Sequence, residues 1–323
     1  MHLLVILLLL PTLSLSSHLP SRPTLLLEHD FPDPSITRDL TGTFHAFATA
    51  SGPINIQGAV SLSPHGPWTR LSHDILPSPG PWASSANTWA PDVRVISPGR
   101  YVLYYSGQVA ANTSFHCIGV ATASVITGPY TAMDEPFACP LEQGGAIDPS
   151  GFFDERTGRR YVVYKVDGNA IGNGGYCNNG VEPVRQTPIV VQEVEVEDGV
   201  TKVGAPNEVL DRGQEDGPLV EAPSLFSVGT TRLGGGGYVM LYSNHCWDSA
   251  GYTVSWATAG AITGPWRKRG VLIGTGDWNL TAPGGATVGE GMDGWMVFHA
   301  DCVFGRCMFG VRFVVDGGAM SVG

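Results

Sequence analysis

The stretch ATASVITGPY at residues 121–130 returns as ATAGAITGPW at residues 257–266, with seven of ten positions identical. The two copies lie 136 residues apart, and SLSPHGPW at residues 61–68 is a looser third copy. Self-similarity at a fixed period is typical of repeat architectures. If 136 residues are two periods, one structural unit takes about 68 residues.

Two further series of segments follow the same rhythm, while helical periodicity is nearly absent. One series is rich in β-branched and aromatic residues and opens on an aromatic: FHAFATA from Phe44, YVLYYSG from Tyr101, YVVYKVD from Tyr161, YVMLYSN from Tyr238 and WMVFHAD from Trp295. In the other series, a proline precedes each of these aromatic-led segments. The spacings are 57, 58, 74 and 60 residues between Pro34, Pro91, Pro149, Pro223 and Pro283.

These repeats predict an all-β chain that forms a single-domain five-bladed β-propeller with about 60 residues per blade. A stack of β-hairpins in a large sandwich is the alternative. We favour the propeller because every unit has the same order: a proline-led strand, an aromatic-led strand, and a third strand ending in Gly-Pro. The N-terminal TLLLEHDF is expected to complete a blade and so leave no exposed sheet edge.

The 323-residue chain begins with an aliphatic run, Leu3 to Leu10, followed by Pro11 and small residues. This pattern predicts a secretory signal peptide over residues 1–16 and a propeller domain over residues 17–323, hence a secreted, extracellular protein. No later segment is apolar for eighteen residues, so no transmembrane helix is expected. The net charge of −11 argues against nucleic acid and anionic membranes as partners, and we expect a monomer.

Six cysteines behind a signal peptide predict three disulfides, with fifteen pairings open. Cys302 and Cys307 are a candidate local bridge across one hairpin. Since no pair has CxxC spacing, a thiolate zinc site is disfavoured. Sequons at Asn112 and Asn279 predict a glycoprotein with sugars on surface loops.

In a propeller the innermost strand of each blade lines a central channel. If the proline-led strands are innermost, the residues just before the prolines approach one axis: Asp33, Ala90, Asp148, Glu221–Ala222 and Ala282. Three blades then place a carboxylate near the same axis. Such an arrangement costs electrostatic free energy, because like charges at short range oppose one another's ionisation. Three unrelated turn acids are the alternative, but Glu221 lies in the apolar segment LVEAPSLF. Neighbouring carboxyl groups with different pKa values serve as the acid and the base in glycoside hydrolysis.

The sequence resembles glycoside hydrolase family 43 over most of the predicted domain. The motifs FPDPSI, WAPDV, GGAIDPSGFFD, YVVYKVDGN and GPLVEAPSLF carry the resemblance, in the family's order and at blade spacing. The resemblance implies a five-bladed propeller with an inverting mechanism. It assigns Asp33 as general base, Glu221 as general acid, and Asp148 as the pKa modulator that keeps Glu221 protonated and oriented.

Further residues are candidates for substrate contact. Trp89 matches the family's tryptophan near the pocket, and Phe31 is a candidate wall residue with a core position as its alternative. His299, by resemblance, reaches the channel centre and is also the candidate metal ligand. No cofactor is expected to be required, although the resemblance allows a calcium ion in the channel. By blade register, the remaining candidate sugar contacts are Asn169, Ser243 and His245.

The leading functional interpretation is a secreted inverting hydrolase of plant cell-wall polysaccharide or oligosaccharide. By resemblance, it cleaves α-L-arabinofuranosyl linkages of the arabinan type or β-D-xylosyl linkages. A non-catalytic carbohydrate-binding propeller is the alternative, but it does not need all three acids. A related propeller clan acts on fructans with a nucleophile in an Asn-Asp-Pro context, which Pro32-Asp33-Pro34 does not match.

Overall fold

The computed structural model describes residues 22–229, 237–292, 294–316 and 318–323, so the predicted signal peptide lies outside the described residues. The described chain is built from β-strands with five short 3-10 turns, and none of its helices is long and apolar enough to cross a membrane. The turns are Leu141–Gln143, Gly168–Ile171, Tyr176–Asn178, Gln214–Asp216 and Asp277–Asn279.

Five antiparallel sheets form the predicted five-bladed propeller, and this order excludes the sandwich alternative. Blade 1 contains β2 (Ser35–Arg38), β3 (Phe44–Ala48), β4 (Gln57–Ser61) and β5 (Thr69–Arg70). Blade 2 contains β6 (Trp89–Ser97), β7 (Arg100–Gln108), β8 (His116–Ala123) and β9 (Thr131–Ala132). Blade 3 contains β10 (Ala146–Asp154), β11 (Arg159–Val166), β12 (Ile189–Val194) and β13 (Lys202–Leu210).

Blade 4 contains β14 (Val220–Val228), β15 (Gly237–Asn244), β16 (Thr253–Ala259) and β17 (Arg267–Ile273). Blade 5 combines both ends of the chain: β18 (Gly284–Thr287), β19 (Trp295–Cys302), β20 (Gly305–Asp316), β21 (Ala319–Val322) and the N-terminal β1 (Thr24–Leu27). Strand β1 pairs with β20, with Thr24 opposite Gly310. The expected closure by the N-terminal strand is therefore confirmed, and it covers an edge that would otherwise be open.

The repeated Gly-Pro segment has one structural role in three blades. It connects the third strand to the fourth, and Gly66-Pro67, Gly128-Pro129 and Gly264-Pro265 are cis peptides. The aromatic that ends each copy donates a hydrogen bond to a backbone carbonyl four residues earlier: Trp68 to Pro64 (3.4 Å), Tyr130 to Ile126 (3.1 Å) and Trp266 to Ile262 (3.0 Å). The repeat thus preserves a turn with an aromatic donor.

Apolar side chains of the described residues form five buried clusters, one between each pair of neighbouring blades. Facing sheets bury alternate residues of each strand, which explains the alternation in the sequence. All three predicted disulfides are present and join Cys117 to Cys139, Cys177 to Cys246, and Cys302 to Cys307.

Candidate active site

The residue before each of the five aligned prolines adopts a left-handed backbone conformation. Its φ angle is +53° at Asp33, +42° at Ala90, +58° at Asp148, +50° at Ala222 and +48° at Ala282. A side chain in this region costs roughly 1–2 kcal/mol. Strand pairing shifts register at this point in blades 2, 3 and 4, so these inner strands carry a bulge that can re-aim a side chain.

All five of these strained residues donate their backbone N–H to a side-chain acceptor, which compensates part of the strain. The pairs are Asp33 to His299 Nδ1 (3.1 Å), Ala90 to Thr49 (2.9 Å), Asp148 to Ser106 (2.9 Å), Ala222 to Asp148 (2.9 Å) and Ala282 to Thr275 (2.9 Å). One carboxylate, that of Asp148, is itself an acceptor. In blades 1 to 4 this residue lines the cavity at the axis, whereas in blade 5 Gly285, with a φ of +59°, takes that place instead of Ala282.

Asp33 lies among groups that favour its ionised form. Its Oδ2 accepts a 2.6 Å hydrogen bond from Thr49, and its Oδ1 lies 3.4 Å from Arg306 Nη1. Burial alone would raise the pKa of Asp33, but the charge of Arg306 and the hydrogen bond from Thr49 hold it below its ordinary value. A carboxylate kept ionised in this way is suited to accept a proton from water.

His299 fixes the backbone of Asp33 from the second strand of blade 5. Its side chain is fully buried, and burial followed by Arg306 lowers its pKa to about 3, against the opposing effect of Asp33. The ring is therefore neutral, with Nδ1 accepting from the Asp33 N–H and the proton on Nε2. That Nε2 has no hydrogen-bond partner among the described residues.

Asp148 bridges blades 3 and 4. Its Oδ2 accepts the backbone N–H of Ala222, the residue that follows Glu221. Burial and then the charge of Glu221 raise the pKa of Asp148 well above its ordinary value, although Lys165 opposes this. The two negative charges oppose each other, so Asp148 loses its proton less readily beside an ionised Glu221.

Glu221 is held by two side chains that sequence reasoning missed. Its Oε2 lies 3.1 Å from Lys165 Nζ, and its Oε1 accepts a 3.0 Å hydrogen bond from the Tyr252 hydroxyl. Unlike Asp33 and Asp148, Glu221 has regular strand geometry and pairs with Ser243. Burial and the Glu221 charge raise the pKa of Tyr252, so its hydroxyl stays a donor.

Lys165 is a fully buried lysine, and its position is a signal that was available in the sequence. It also lies 3.0 Å from Asp167 Oδ1. Burial would lower the pKa of Lys165, but Asp167, Glu221 and Asp148 raise it above the ordinary value. A lysine in the middle of the apolar strand segment YVVYKVD needs buried carboxylate partners. Tyr252 and Arg306 gave no comparable signal.

A sequence profile of the family described as "Glycosyl hydrolases family 43" matches residues 23–313. The chain belongs to this family.

Curated relatives of this family 43 chain match over shorter segments. It is 30% identical over 152 residues to "Extracellular endo-alpha-(1->5)-L-arabinanase 2" of Bacillus subtilis (strain 168), covering 41% of the chain and 32% of the relative. It is 29% identical over 144 residues to "Probable arabinan endo-1,5-alpha-L-arabinosidase A" of Aspergillus oryzae (strain ATCC 42149 / RIB 40), covering 44% of the chain and 38% of the relative. The aligned part thus spans about a third of the length of these relatives.

Solved structures match nearly the whole family 43 chain. A thermostable family-43 glycoside hydrolase aligns with a TM-score of 0.74 at 20% identity, covering 90% of this chain and 92% of the other. A native Bacillus subtilis arabinanase aligns with a TM-score of 0.65 at 19% identity, covering 93% of this chain and 99% of the other. These likenesses confirm the five-bladed fold.

Two predicted sugar contacts of the family 43 chain are wrong because their side chains are buried. Phe31 is 0% exposed and packs in the cluster between blades 5 and 1, the position named as its alternative. Ser243 is also 0% exposed, and its hydroxyl accepts the Gly285 N–H at 2.9 Å, which fixes strand β18 beside blade 4. His299 is equally buried, so in this structure it contacts Asp33 and offers no surface to a sugar.

The other candidate contacts remain accessible in part. Trp89 is partly exposed and stacks on His116, with ring centroids 3.6 Å apart. Asn169 lies in the turn after β11, and its Oδ1 has no partner among the described residues. His245 is partly exposed at the start of the loop after β15, with a φ of +63°. These three residues stay predictions for substrate contact.

The calcium expectation for the family 43 channel also stays a prediction. Calcium binds six to eight oxygen ligands, whereas His299 offers a single ring nitrogen. Within the described ranges, the one group of three side chains with metal-binding geometry contains Cys177, Cys246 and Asp248, and its two cysteines form a disulfide.

Proposed function

We propose that this family 43 protein is a secreted inverting glycoside hydrolase that cleaves pentosyl linkages in plant cell-wall polysaccharide. The observation that carries the proposal is the contrast among three carboxyl groups at one end of the channel. Asp33 has a lowered pKa, whereas burial and the neighbouring charge of Glu221 raise the pKa of Asp148. Carboxyl groups with opposite proton affinities are the acid and base that glycoside hydrolysis requires.

In the proposed reaction, each group has a separate task. The Asp33 carboxylate takes a proton from a water molecule as its oxygen attacks the anomeric carbon. Glu221 gives a proton to the departing glycosidic oxygen as the carbon–oxygen bond breaks, so the configuration inverts. Asp148 touches neither water nor leaving group and acts by opposing ionisation of Glu221 through its charge. Lys165 and Tyr252 hold the Glu221 carboxyl in place.

Arabinan is the preferred substrate class, and xylan is the second. The curated relatives are named as enzymes of arabinan, which supports the α-1,5-arabinofuranosyl linkage. Three disulfides support secretion, because such bonds persist in oxidising compartments. Asn112 and Asn279 are exposed on loops, which suits their predicted glycosylation. We propose a monomer that needs no cofactor for the proton transfers.

The decisive experiment incubates the secreted protein with debranched arabinan, arabinoxylan, and the 4-nitrophenyl α-L-arabinofuranoside and β-D-xyloside. Proton NMR within the first minutes should show a pentose or oligosaccharide whose new anomeric centre is opposite to that of the substrate. Retained configuration would contradict inversion. Saccharide binding without any release of reducing ends would instead favour the non-catalytic carbohydrate-binding propeller.

A further inference from the structure

Two loops next to the proposed acid are joined by a disulfide. The loop between β11 and β12 follows Lys165 and Asp167, and the loop between β15 and β16 begins directly after Asn244, which pairs with Val220 beside Glu221. Cys177 in the first loop is bonded to Cys246 in the second. Since both loops follow the second strand of their blade, they lie at the end of the channel that carries the acids.

Both half-cystines have an exposed aromatic neighbour in sequence. Tyr176 is 72% exposed and Trp247 is 49% exposed. By contrast, the tryptophans that hold the blades together are buried: Trp68 is 8% exposed, Trp256 6% and Trp295 7%. Trp247 therefore lies on the cross-linked loop, outside the packing between the blades.

Trp247 has a direct connection to the proposed base. The Arg306 guanidinium carbon lies 4.9 Å from the centroid of its indole, and the same guanidinium reaches Asp33 Oδ1 at 3.4 Å. The cation–π contact restrains the indole, and the disulfide restrains the loop that carries it. The side chain therefore loses less conformational entropy when a ligand binds against it. The indole is therefore a preorganised aromatic surface one side chain away from the reaction centre.

We propose that Trp247 is a stacking surface for a neutral sugar ring of an oligosaccharide, adjacent to the sugar whose linkage is cleaved. The inference rests on the proposed function and specifies how that site selects polymer over short glycoside. The C–H face of a sugar is weakly positive and apolar, and it complements the negative face of an aromatic ring. The Cys177–Cys246 disulfide positions this surface, and Arg306 aligns it with Asp33.

The test compares two substrates, 1,5-α-L-arabinopentaose and 4-nitrophenyl α-L-arabinofuranoside, for the wild type and the variants W247A, W247F and W278A. In W247A, kcat/KM for the pentaose should fall about ten-fold more than kcat/KM for the aryl glycoside, chiefly through KM. W247F keeps an aromatic face and should recover most of the loss. W278A is the matched control, because Trp278 is 39% exposed on a neighbouring loop and no aromatic or cation–π contact of its ring exists within the described residues.

The disulfide provides a second measurement. The double variant C177S/C246S should show the same preferential loss on the pentaose, while its thermal unfolding reports any change in stability. Equal losses on both substrates in W247A would overturn the proposal, since the ring would then act only through Arg306 and Asp33. Unchanged pentaose kinetics in W247A would overturn it as well.

Failure of the proposed function gives a different result. If the wild type hydrolyses neither substrate, calorimetric titration with arabinopentaose and with xylopentaose replaces the kinetics. Binding that weakens about ten-fold in W247A but not in W278A would then support the stacking surface without catalysis. Absence of saccharide binding to the wild type would overturn both proposals.

Discussion

The propeller carries two groups of buried and partly buried charges that differ in their balance of carboxyl groups and cations. The group at the acid end has four carboxyl groups, those of Asp33, Asp148, Asp167 and Glu221, and two cations, Lys165 and Arg306. The inner group, further along the inner strands, has two of each: Asp92, Glu290, Arg94 and Arg160.

The inner group has the features of a structural ion-pair network. Asp92 Oδ2 accepts a 2.7 Å bond from Arg94 Nε and a 2.6 Å bond from the Gly151 N–H, which joins blades 2 and 3. Glu290 of blade 5 lies 3.9 Å from Arg94 and 3.6 Å from Arg160. At the acid end carboxyl groups outnumber cations by four to two, and burial with the charge of Glu221 raises the pKa of Asp148. The comparison teaches that imbalance among buried charges, rather than burial alone, marks the reactive site.

The largest expected effect is a loss of turnover that occurs for a variant of the acid end and not for a variant of the inner group. Glu221→Gln should lower turnover about 10²–10⁴-fold on substrates with a poor leaving group, because proton donation to the departing oxygen is lost. The loss should be much smaller on an aryl pentoside with an acidic phenol. Steady-state kinetics on both substrates measures this, with Glu290→Gln as the matched acid of the inner group. Near-full activity of E221Q on arabinan would remove Glu221 from the reaction.

The second effect is a loss of folding stability, expected for a variant of the inner group. Arg94→Met should lower the free energy of unfolding by about 3–5 kcal/mol, because Asp92 is left as an unpaired buried charge. Turnover per folded molecule should change far less than in E221Q. Urea unfolding followed by fluorescence measures the stability. Arg159→Met is the control, since its side chain is 60% exposed and its ion pair with Glu193 lies at the surface, where such pairs contribute little to stability. Equal destabilisation in both variants would contradict the structural role.

The third effect lies within the acid end. Asp148→Asn removes the negative charge that opposes ionisation of the pair it forms with Glu221, so the upper apparent pKa of the kcat/KM profile should fall by about one unit. Activity is then lost at a lower pH on the alkaline side. A pH–rate profile from pH 3 to 9 measures the shift, and Asp92→Asn is the control from the inner group. An unshifted upper limb would show that Asp148 does not act on the proton donor.

The smallest effect concerns the opposite limb of the same profile. Arg306 lowers the pKa of Asp33, so Arg306→Met should raise that pKa and move the acidic limb of kcat/KM to higher pH. The direction follows because a base with a raised pKa becomes protonated, and thus inactive, at a pH where the wild type still works. Arg306→Lys retains a positive charge and should restore the limb. A limb that moves to lower pH would contradict the assignment of Asp33 as base.

Contacts across the ring explain why parts of the site were missed or misjudged from the sequence. Lys165 reaches Glu221 over 56 residues, and Arg306 reaches Asp33 over 273 residues, so no local motif holds either pair. Phe31 and Ser243 stand at the ends of motifs that face the channel, yet their own side chains turn into the packing between blades. Strand register alone does not tell on which side of a bulge a side chain emerges.

The sequence by itself determined the ring of five blades and the three positions that carry its acids. Strand periodicity, Gly-Pro turns and a proline at or near the start of each inner strand are local properties, and their repetition sets the number of units. Only the tertiary structure decided how each acid differs from the others. Proton affinity depends on burial and on charges that are near in space, and those neighbours come from other blades.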